Sequence, residues 1–197
     1  MAVAWFFAVL LPILLCLRVS GAHLNPAVTL GLAVSGRMPR SEAPSYVAAQ
    51  FAGAFFGSAV VLFSLGDFAH LGATTPSVGN LATVFAGELL FSGALIASVF
   101  ALADRPEGGV GWRILLPPAT VGVSTYVIGP ITGSSLNPAR TVAPAVLSGT
   151  YTDLGVYLLA VPLAAILVAL MWRNDVTNLP SNGRRVAADP KGVGPAD

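Results

Sequence analysis

Five long runs of this chain are apolar and almost free of charge. A helix that spans a bilayer needs about 20 apolar residues, within a range of roughly 17–25. Charged residues make up 10% and hydrophobic residues 55% of the 197 residues, a composition typical of a membrane protein. We therefore expect five spanning helices, at Ala2–Leu17, Ser45–Leu65, Leu81–Ala103, Ile114–Ile131 and Leu154–Trp172.

The first run begins directly after Met1, and a cleaved signal peptide is the alternative reading of it. Val19-Ser20-Gly21 resembles a cleavage site. A signal peptide also needs a positively charged segment ahead of its apolar part, and no Lys or Arg precedes this run. The sequence favours a spanning helix.

Basic residues indicate the orientation in the membrane. The connection Gly66–Asn80 has no Lys or Arg, whereas nine basic residues fall at junctions that alternating spans place on the opposite side. The positive-inside rule puts those junctions and the C-terminus in the cytoplasm of a multi-pass protein of the cell (plasma) membrane. Arg140 is the exception, which makes it a candidate for function.

Two further apolar segments are too short to span. Pro26–Gly36 and Pro138–Gly149 would form helices of about 16–18 Å, roughly half the thickness of a bilayer core. Beyond the last run, the polar and Pro/Gly-rich residues 174–197 are expected to form a flexible cytoplasmic tail.

Both short segments follow copies of one motif. SGAHLNPAVTLG at Ser20–Gly31 and TGSSLNPARTVA at Thr132–Ala143 share six of twelve positions at an offset of 112 residues. Internal repeats that begin half-length or broken helices build sites near the bilayer midplane in many transport proteins. The repeat therefore predicts a transport site between two related halves.

The repeat also makes a demand on chain length. Two spans precede the second Asn-Pro-Ala, but only 24 residues precede Asn25, which suffices for one span. Inverted repeats of three spans would total six. We therefore expect one helix of the first half to be absent, so that five of six spans are present.

The Asn-Pro pairs predict two helix starts. Asn is a preferred N-cap, and Pro is favoured at the first helical position. An N-cap Asn accepts with its oxygen, which leaves its amide hydrogens free to donate. Two helix N-termini at the midplane, each carrying about half a positive charge, would hold a water or alcohol oxygen and repel a cation.

At these residues the chain resembles the aquaporin, or major intrinsic protein, family. The resemblance runs from about residue 3 to 173 and implies an all-α, right-handed bundle with two re-entrant half-helices and one pore per subunit of a homotetramer. It implies a channel domain at 1–173, with a truncated first repeat at 1–65 and a second at 81–173. The family's pore motifs fall on Asn25, Pro26, Ala27, Asn137, Pro138 and Ala139.

The resemblance also assigns the outer selectivity constriction, by spacing from the two Asn residues, to Trp5, Thr125, Ser134 and Arg140. Strict water channels of the family have Phe and His where this chain has Trp5 and Thr125. The smaller Thr implies a wider opening, as in nodulin-like or bacterial aquaglyceroporin-like members. Glycerol, urea or metalloid hydroxides are therefore plausible solutes beside water. An interfacial anchor is the alternative role for Trp5.

Two other polar residues fall in apolar surroundings. Glu88 lies inside the third run, where an acid is costly and is normally paired or functional. The family resemblance implies that it supports the backbone of the re-entrant loops. His23 precedes Asn25 by two residues and is expected at the cytoplasmic pore mouth, either as a pH gate or as a structural hydrogen-bonding group.

The composition excludes several function classes. No nucleophile–base pair, phosphate loop or metal-spaced cluster is present, so we expect no enzyme, cofactor or metal site. The ten basic and nine acidic residues nearly balance, which gives no reason to expect nucleic acid as a partner. The predicted function is a passive, bidirectional channel in the lipid bilayer for water and small neutral solutes, with protons and ions excluded. A non-conducting structural subunit and an ion-coupled transporter are the alternatives.

Overall fold

The structure, a computed structural model, describes residues 1–77, 79–104 and 111–172, so the predicted tail lies outside it. These residues form helices joined by loops and by two 3-10 turns, at Phe68–Gly72 and Gly111–Leu115, and they contain no strand. The helices are α1 Ala2–Ser20, α2 Pro26–Ser35, α3 Ala43–Leu65, α4 Leu81–Ala103, α5 Leu116–Val127, α6 Gly129–Thr132, α7 Pro138–Ser148 and α8 Leu154–Met171.

Four of these helices, α1, α3, α4 and α8, are long and apolar enough to cross a membrane, which confirms four of the predicted spans. The run Ile114–Ile131 differs, because it is divided into a 3-10 turn, α5 and the four-residue α6. The division falls at Ile128, just before Gly129-Pro130. Pro130 has no N–H to continue the helical hydrogen bonds, and its ring crowds the preceding turn.

The two half-length helices, α2 and α7, are confirmed. Each begins after an Asn in extended conformation and with Pro as its first residue. Each ends at a glycine in the left-handed region, Gly36 at φ 82° and Gly149 at φ 71°, where an L side chain would be strained. The local sequence therefore sets both ends of both helices.

The two halves of the chain interlock through these short helices. α2 packs mainly against α8 of the second half, whereas α7 packs mainly against α3 of the first. α1 packs against α5, and α4 packs against α8 and α5. The N-termini of α2 and α7 consequently meet within the bundle, held by the helices of both halves.

The apolar core lies among α2, α4 and α8. Phe100 and Val161 are fully buried there, and a Cβ at Gly31 would lie 3.1 Å from Ile96, so that helices approach closely at this glycine. At one edge of this core Arg37 donates two hydrogen bonds to Asp104, at 2.8 and 2.6 Å. By contrast, α3 has no buried residue in the described chain, which leaves its apolar face open.

Candidate functional site

The loops before the two half-helices have the same backbone conformation. Gly21, Ala22 and Leu24 have φ of 72°, 48° and 56°, and the residues 112 positions later have φ of 80°, 48° and 54°. A left-handed conformation costs a non-glycine residue roughly 1–2 kcal/mol. Two such residues in each loop therefore need tertiary contacts to hold them.

The two Asn side chains cap their own helices and also join the loops. Asn25 Oδ1 accepts from Ala27 N at 2.9 Å, and its Nδ2 donates to Leu136 O at 2.7 Å. Asn137 Oδ1 likewise accepts from the start of α7, and its Nδ2 donates to Leu24 O at 3.0 Å. The expectation that both amide hydrogens stay free is thus wrong by one hydrogen per Asn, because each loop satisfies a carbonyl of the other. One N–H of each amide remains for a ligand.

Glu88 lies against the second loop and is fully buried. Its carboxylate accepts from the backbone N–H of Ser135 at 2.9 Å and of Leu136 at 3.1 Å, and from the hydroxyl of Thr132 at 2.7 Å. Tyr157, 1% exposed, donates its phenol O–H to Thr132 O at 2.5 Å. The strained backbone of this loop is held by a buried charge and a buried phenol.

The first loop is held differently. His23 Nδ1 lies 3.1 Å from Thr29 Oγ1, which also accepts from Gln50 Nε2 at 2.8 Å. The His23 ring packs on Tyr46 with 4.6 Å between ring centroids. Within residues 1–77, 79–104 and 111–172, no acidic side chain hydrogen-bonds to this loop.

Both loops face one cavity of about 120 Å³. Its apolar wall comes mainly from α1, α4 and α5, through side chains such as Val9, Leu95 and Val121. The polar groups come from the loops and the start of α7. The predicted site residues that line it are Trp5, His23, Asn25, Thr125, Ser134, Asn137 and Arg140. An apolar cleft with a few placed polar groups is the usual form of a small-molecule site.

Arg140 contacts both sides of the cavity. Its Nη1 donates to Gly72 O at 2.9 Å and to Thr74 Oγ1 at 2.7 Å, and its Cζ lies 5.0 Å from the centroid of the Trp5 ring. Its Nε is buried and has no hydrogen-bond partner among the described residues. The guanidinium is therefore anchored at one corner and retains donors for a solute.

The other two predicted constriction residues have hydroxyls that are already bonded. Thr125 Oγ1 donates to Val121 O on its own helix at 2.9 Å, and Ser134 Oγ lies 2.8 Å from Ser124 Oγ. Each hydroxyl keeps acceptor capacity, and the cavity also meets the methyl group of Thr125.

Sequence reasoning did not identify several side chains that hold the site. Gly72 acts through its backbone carbonyl, which carries no sequence signal. The hydroxyls of Thr74, Thr141 and Ser135 form a connected set, and the Tyr157 phenol is hydrogen-bonded, but their relation to the site depends on helices distant in sequence. The one available signal was that Thr141 occupies a position where glycerol-conducting members of the resembled family have Asp.

A larger groove, of about 1270 Å³, runs between α1, α3 and α7. Trp5, His23, Asn137 and Arg140 line both this groove and the smaller cavity. In the described chain the cavity is therefore open on the side of α1 and α3.

Comparison with other proteins gives one consistent result. Residues 1–172 match a family described as Major intrinsic protein. The chain is 38% identical over 159 residues to Aquaporin NIP1-4 of Oryza sativa subsp. japonica, covering 80% of the chain and 58% of that relative. It is 34% identical over 167 residues to Aquaporin NIP1-1 of Zea mays, covering 84% of the chain and 58% of the relative. It thus spans less than two thirds of the length of these relatives.

A solved structure also resembles this fold, that of the aquaglyceroporin from Plasmodium falciparum. The TM-score is 0.73 at 27% sequence identity, and the match covers 90% of this chain and 82% of the other. The all-α membrane architecture predicted from the sequence is confirmed.

Proposed function

Because the chain belongs to the major intrinsic protein family, we propose that it forms a channel through which water and small uncharged solutes cross a membrane passively in both directions. The observation that carries the proposal is the meeting of two Asn amides, one from each half-helix, on a single cavity. The relatives from Oryza sativa and Zea mays are both named as aquaporins, which are channels rather than enzymes.

The geometry supports selection for neutral oxygen ligands. Each half-helix N-terminus carries roughly half a positive charge, and each Asn keeps one N–H for donation. A water or alcohol oxygen accepts from these donors, whereas a cation meets positive potential from both sides. A water that accepts from both amides has its own hydrogens turned outward, which interrupts a proton-conducting chain. We propose that protons and cations are excluded at this point.

The constriction supports solutes larger than water. Trp5 supplies an apolar wall for a carbon skeleton, Arg140 supplies donors and repels cations, and Thr125 is smaller than the His of strict water channels. Ser134 completes the set. We propose glycerol, urea or metalloid hydroxides as candidate solutes, in keeping with a structural neighbour that is named as an aquaglyceroporin.

The remaining features of the proposal concern organisation. We place His23 at the cytoplasmic pore mouth, with the Arg-bearing junctions and the C-terminus in the cytoplasm of the plasma membrane. The channel domain is 1–173, with repeats at 1–65 and 81–173, followed by a tail at 174–197. The assembly is a homotetramer in the lipid bilayer, without nucleic acid as a partner.

Glu88 argues against the ion-coupled transporter. Such a transporter needs an acid that binds and releases an ion during transport. The Glu88 carboxylate instead accepts three hydrogen bonds from the second loop and is fully buried. It is occupied as a support of the loop, so we do not propose ion coupling.

The groove between α1, α3 and α7 favours a second candidate, a non-conducting structural subunit of a channel assembly. A conducting pore needs a continuous wall, and the groove shares Asn137 and Arg140 with the cavity. Measurement of flux through this 197-residue chain separates the two candidates directly.

The test uses the purified chain in lipid vesicles and follows water and glycerol flux by light scattering after an osmotic step. We expect both fluxes to exceed those of empty vesicles, with no proton or sodium gradient required. Water and glycerol rates equal to those of empty vesicles would favour the structural subunit.

A substitution at the central amide sharpens this test. Asn137→Asp keeps an N-cap acceptor but places a negative charge in the cavity, so we expect cation leak to rise. Asn80→Asp is the matched control, because Asn80 also caps a helix, α4, and does not line the cavity. Equal cation leak in both variants would contradict the proposed role of the paired amides.

A further inference from the structure

The connection between α3 and α4 reaches the cavity at Thr74. Thr74 is 4% exposed, and its hydroxyl accepts from Arg140 Nη1 at 2.7 Å, beside the Gly72 carbonyl at 2.9 Å. These two acceptors are the described partners of the guanidinium. The position of the Arg140 head group therefore depends on a loop that is distant from it in sequence.

The position of Thr74 is itself closely determined. A Cβ at Gly133 would lie 3.0 Å from Thr74 Cγ2 and 3.1 Å from Thr75 O, so the loop packs directly on this glycine. A backbone hydrogen bond from Ser77 N to Ile131 O, at 3.0 Å, holds the same stretch against α6. Thr74 thus rests on the second loop with little room to move.

A set of hydroxyls connects Thr74 to the rest of the site. Arg140 can only donate, so Thr74 Oγ1 accepts from it, and the Thr74 hydrogen is left to donate elsewhere. Thr141 Oγ1 lies 3.3 Å away and is also hydrogen-bonded to the Ser135 hydroxyl. The Ser135 backbone N–H is held by Glu88. All of these groups are buried, so water does not replace a lost partner easily.

We propose that Thr74, backed by Thr141, is a positioning residue that holds the Arg140 guanidinium at one wall of the cavity and so sets the size of solute that passes. This inference rests on the proposed channel function and concerns the same constriction. Arg140 has a long side chain with many rotamers. With the Thr74 acceptor removed, Gly72 O alone holds Nη1, and the guanidinium swings across the cavity toward Trp5.

The main test compares Thr74→Val with Thr74→Ser in vesicles. Valine keeps the shape but removes the acceptor, and loss of one hydrogen bond to a charged donor predicts a fall in the glycerol-to-water permeability ratio of about threefold or more. Serine restores the hydroxyl and should restore the ratio. Thr120→Val is the matched control, because Thr120 Oγ1 donates only to Leu116 O of its own helix and does not line the cavity. An unchanged ratio in Thr74→Val would overturn the proposal.

If Thr74→Val does not reach the membrane, Thr141→Val serves as the second variant. It removes the partner of Thr74 without touching Arg140, so we expect a smaller fall of the ratio in the same direction. An unchanged ratio in a Thr141→Val protein that conducts water would also overturn the proposal.

A second readout does not depend on flux. The chain has three Trp residues, and Trp112→Phe with Trp172→Phe leaves Trp5, beside Arg140, as the only fluorophore of this kind. We expect Thr74→Val to change the Trp5 emission in this background and Thr120→Val to leave it unchanged. If the wild-type chain conducts nothing, the proposed function fails, but a changed emission still supports the positioning role. An unchanged emission in Thr74→Val contradicts it.

Discussion

The loops that precede α2 and α7 share their backbone conformation to within a few degrees, but they are supported by different chemistry. The second loop is held by the buried Glu88 carboxylate and the Tyr157 phenol. The first is held by a neutral set of three side chains, His23, Thr29 and Gln50. The repeated Gly-x-x-Leu-Asn-Pro-Ala pattern is thus sufficient to specify the turn, while the helices that pack around each copy supply its support.

The helices beside the two loops differ in the same direction. α8 has six buried residues, including Val161 and Ala165, because α4 and α2 both pack against it. α3, its counterpart in the first half, has none within the described chain. The difference teaches that the second half carries most of the packing, so substitutions there should cost more than equivalent changes in the first half.

The largest effect is expected for Glu88→Ala. Three donors of the second loop would lose their acceptor inside the core, and we expect the free energy of unfolding to fall by about 3 kcal/mol or more. Thermal unfolding in detergent measures this. Glu42→Ala is the control, since the Glu42 side chain makes no capping hydrogen bond to α3. An equal loss of stability in both variants would show that Glu88 is not the main support of the loop.

A large effect on transport is expected for Arg140→Val. Val28 occupies the equivalent position of the first half, 112 residues earlier, so this variant makes the two half-helices alike there. Loss of the fixed positive charge should raise cation or solute leak, and a tenfold rise corresponds to about 1.4 kcal/mol. Conductance and flux assays in vesicles measure it, with Arg40→Val as the control. Unchanged selectivity would count against the assigned constriction.

A smaller effect is expected for Tyr157→Phe. This change removes one buried hydrogen bond to Thr132 O and should lower the free energy of unfolding by about 1 kcal/mol. Tyr126→Phe provides the control, because Tyr126 is 79% exposed. If both variants melt at the same temperature, the phenol does not support the second loop.

The smallest effect is expected for Gln50→Leu in the first loop. Gln50 Oε1 is buried without a partner among the described residues, so leucine removes an unsatisfied acceptor together with the bond to Thr29. These contributions oppose each other, and we expect a net change within about 0.5 kcal/mol. A thermal shift as large as that of Glu88→Ala would reverse the comparison between the loops.

Much of the fold was accessible from local chemistry. An Asn followed by Pro, with a glycine about 11 residues later, specifies both ends of each half-helix without tertiary information. The four long helices follow from the same kind of reasoning, because an uninterrupted apolar run in a bilayer must satisfy its own backbone. The division at Ile128 could also have been anticipated, since Gly129-Pro130 lies inside the run.

The support of Arg140 was not accessible in this way. One of its acceptors is the Gly72 carbonyl, and the 3-10 turn that presents it contains left-handed backbone at Ala69, His70 and Leu71, which no residue type there specifies. The second use of the Asn amides was also missed. A carbonyl of the opposite loop becomes a partner only once the two halves have docked.

The sequence by itself determined the class of the molecule, the two helix starts and the residues that carry charge inside the membrane. Apolar runs, N-caps and buried charges act through free energies that depend on the neighbouring few residues and on the solvent. Tertiary structure alone decided which groups hold those charges. The partners of Arg140, and of each Asn amide hydrogen, come from loops about 66–113 residues away, brought together by the interlocking of α2 with α8 and of α7 with α3.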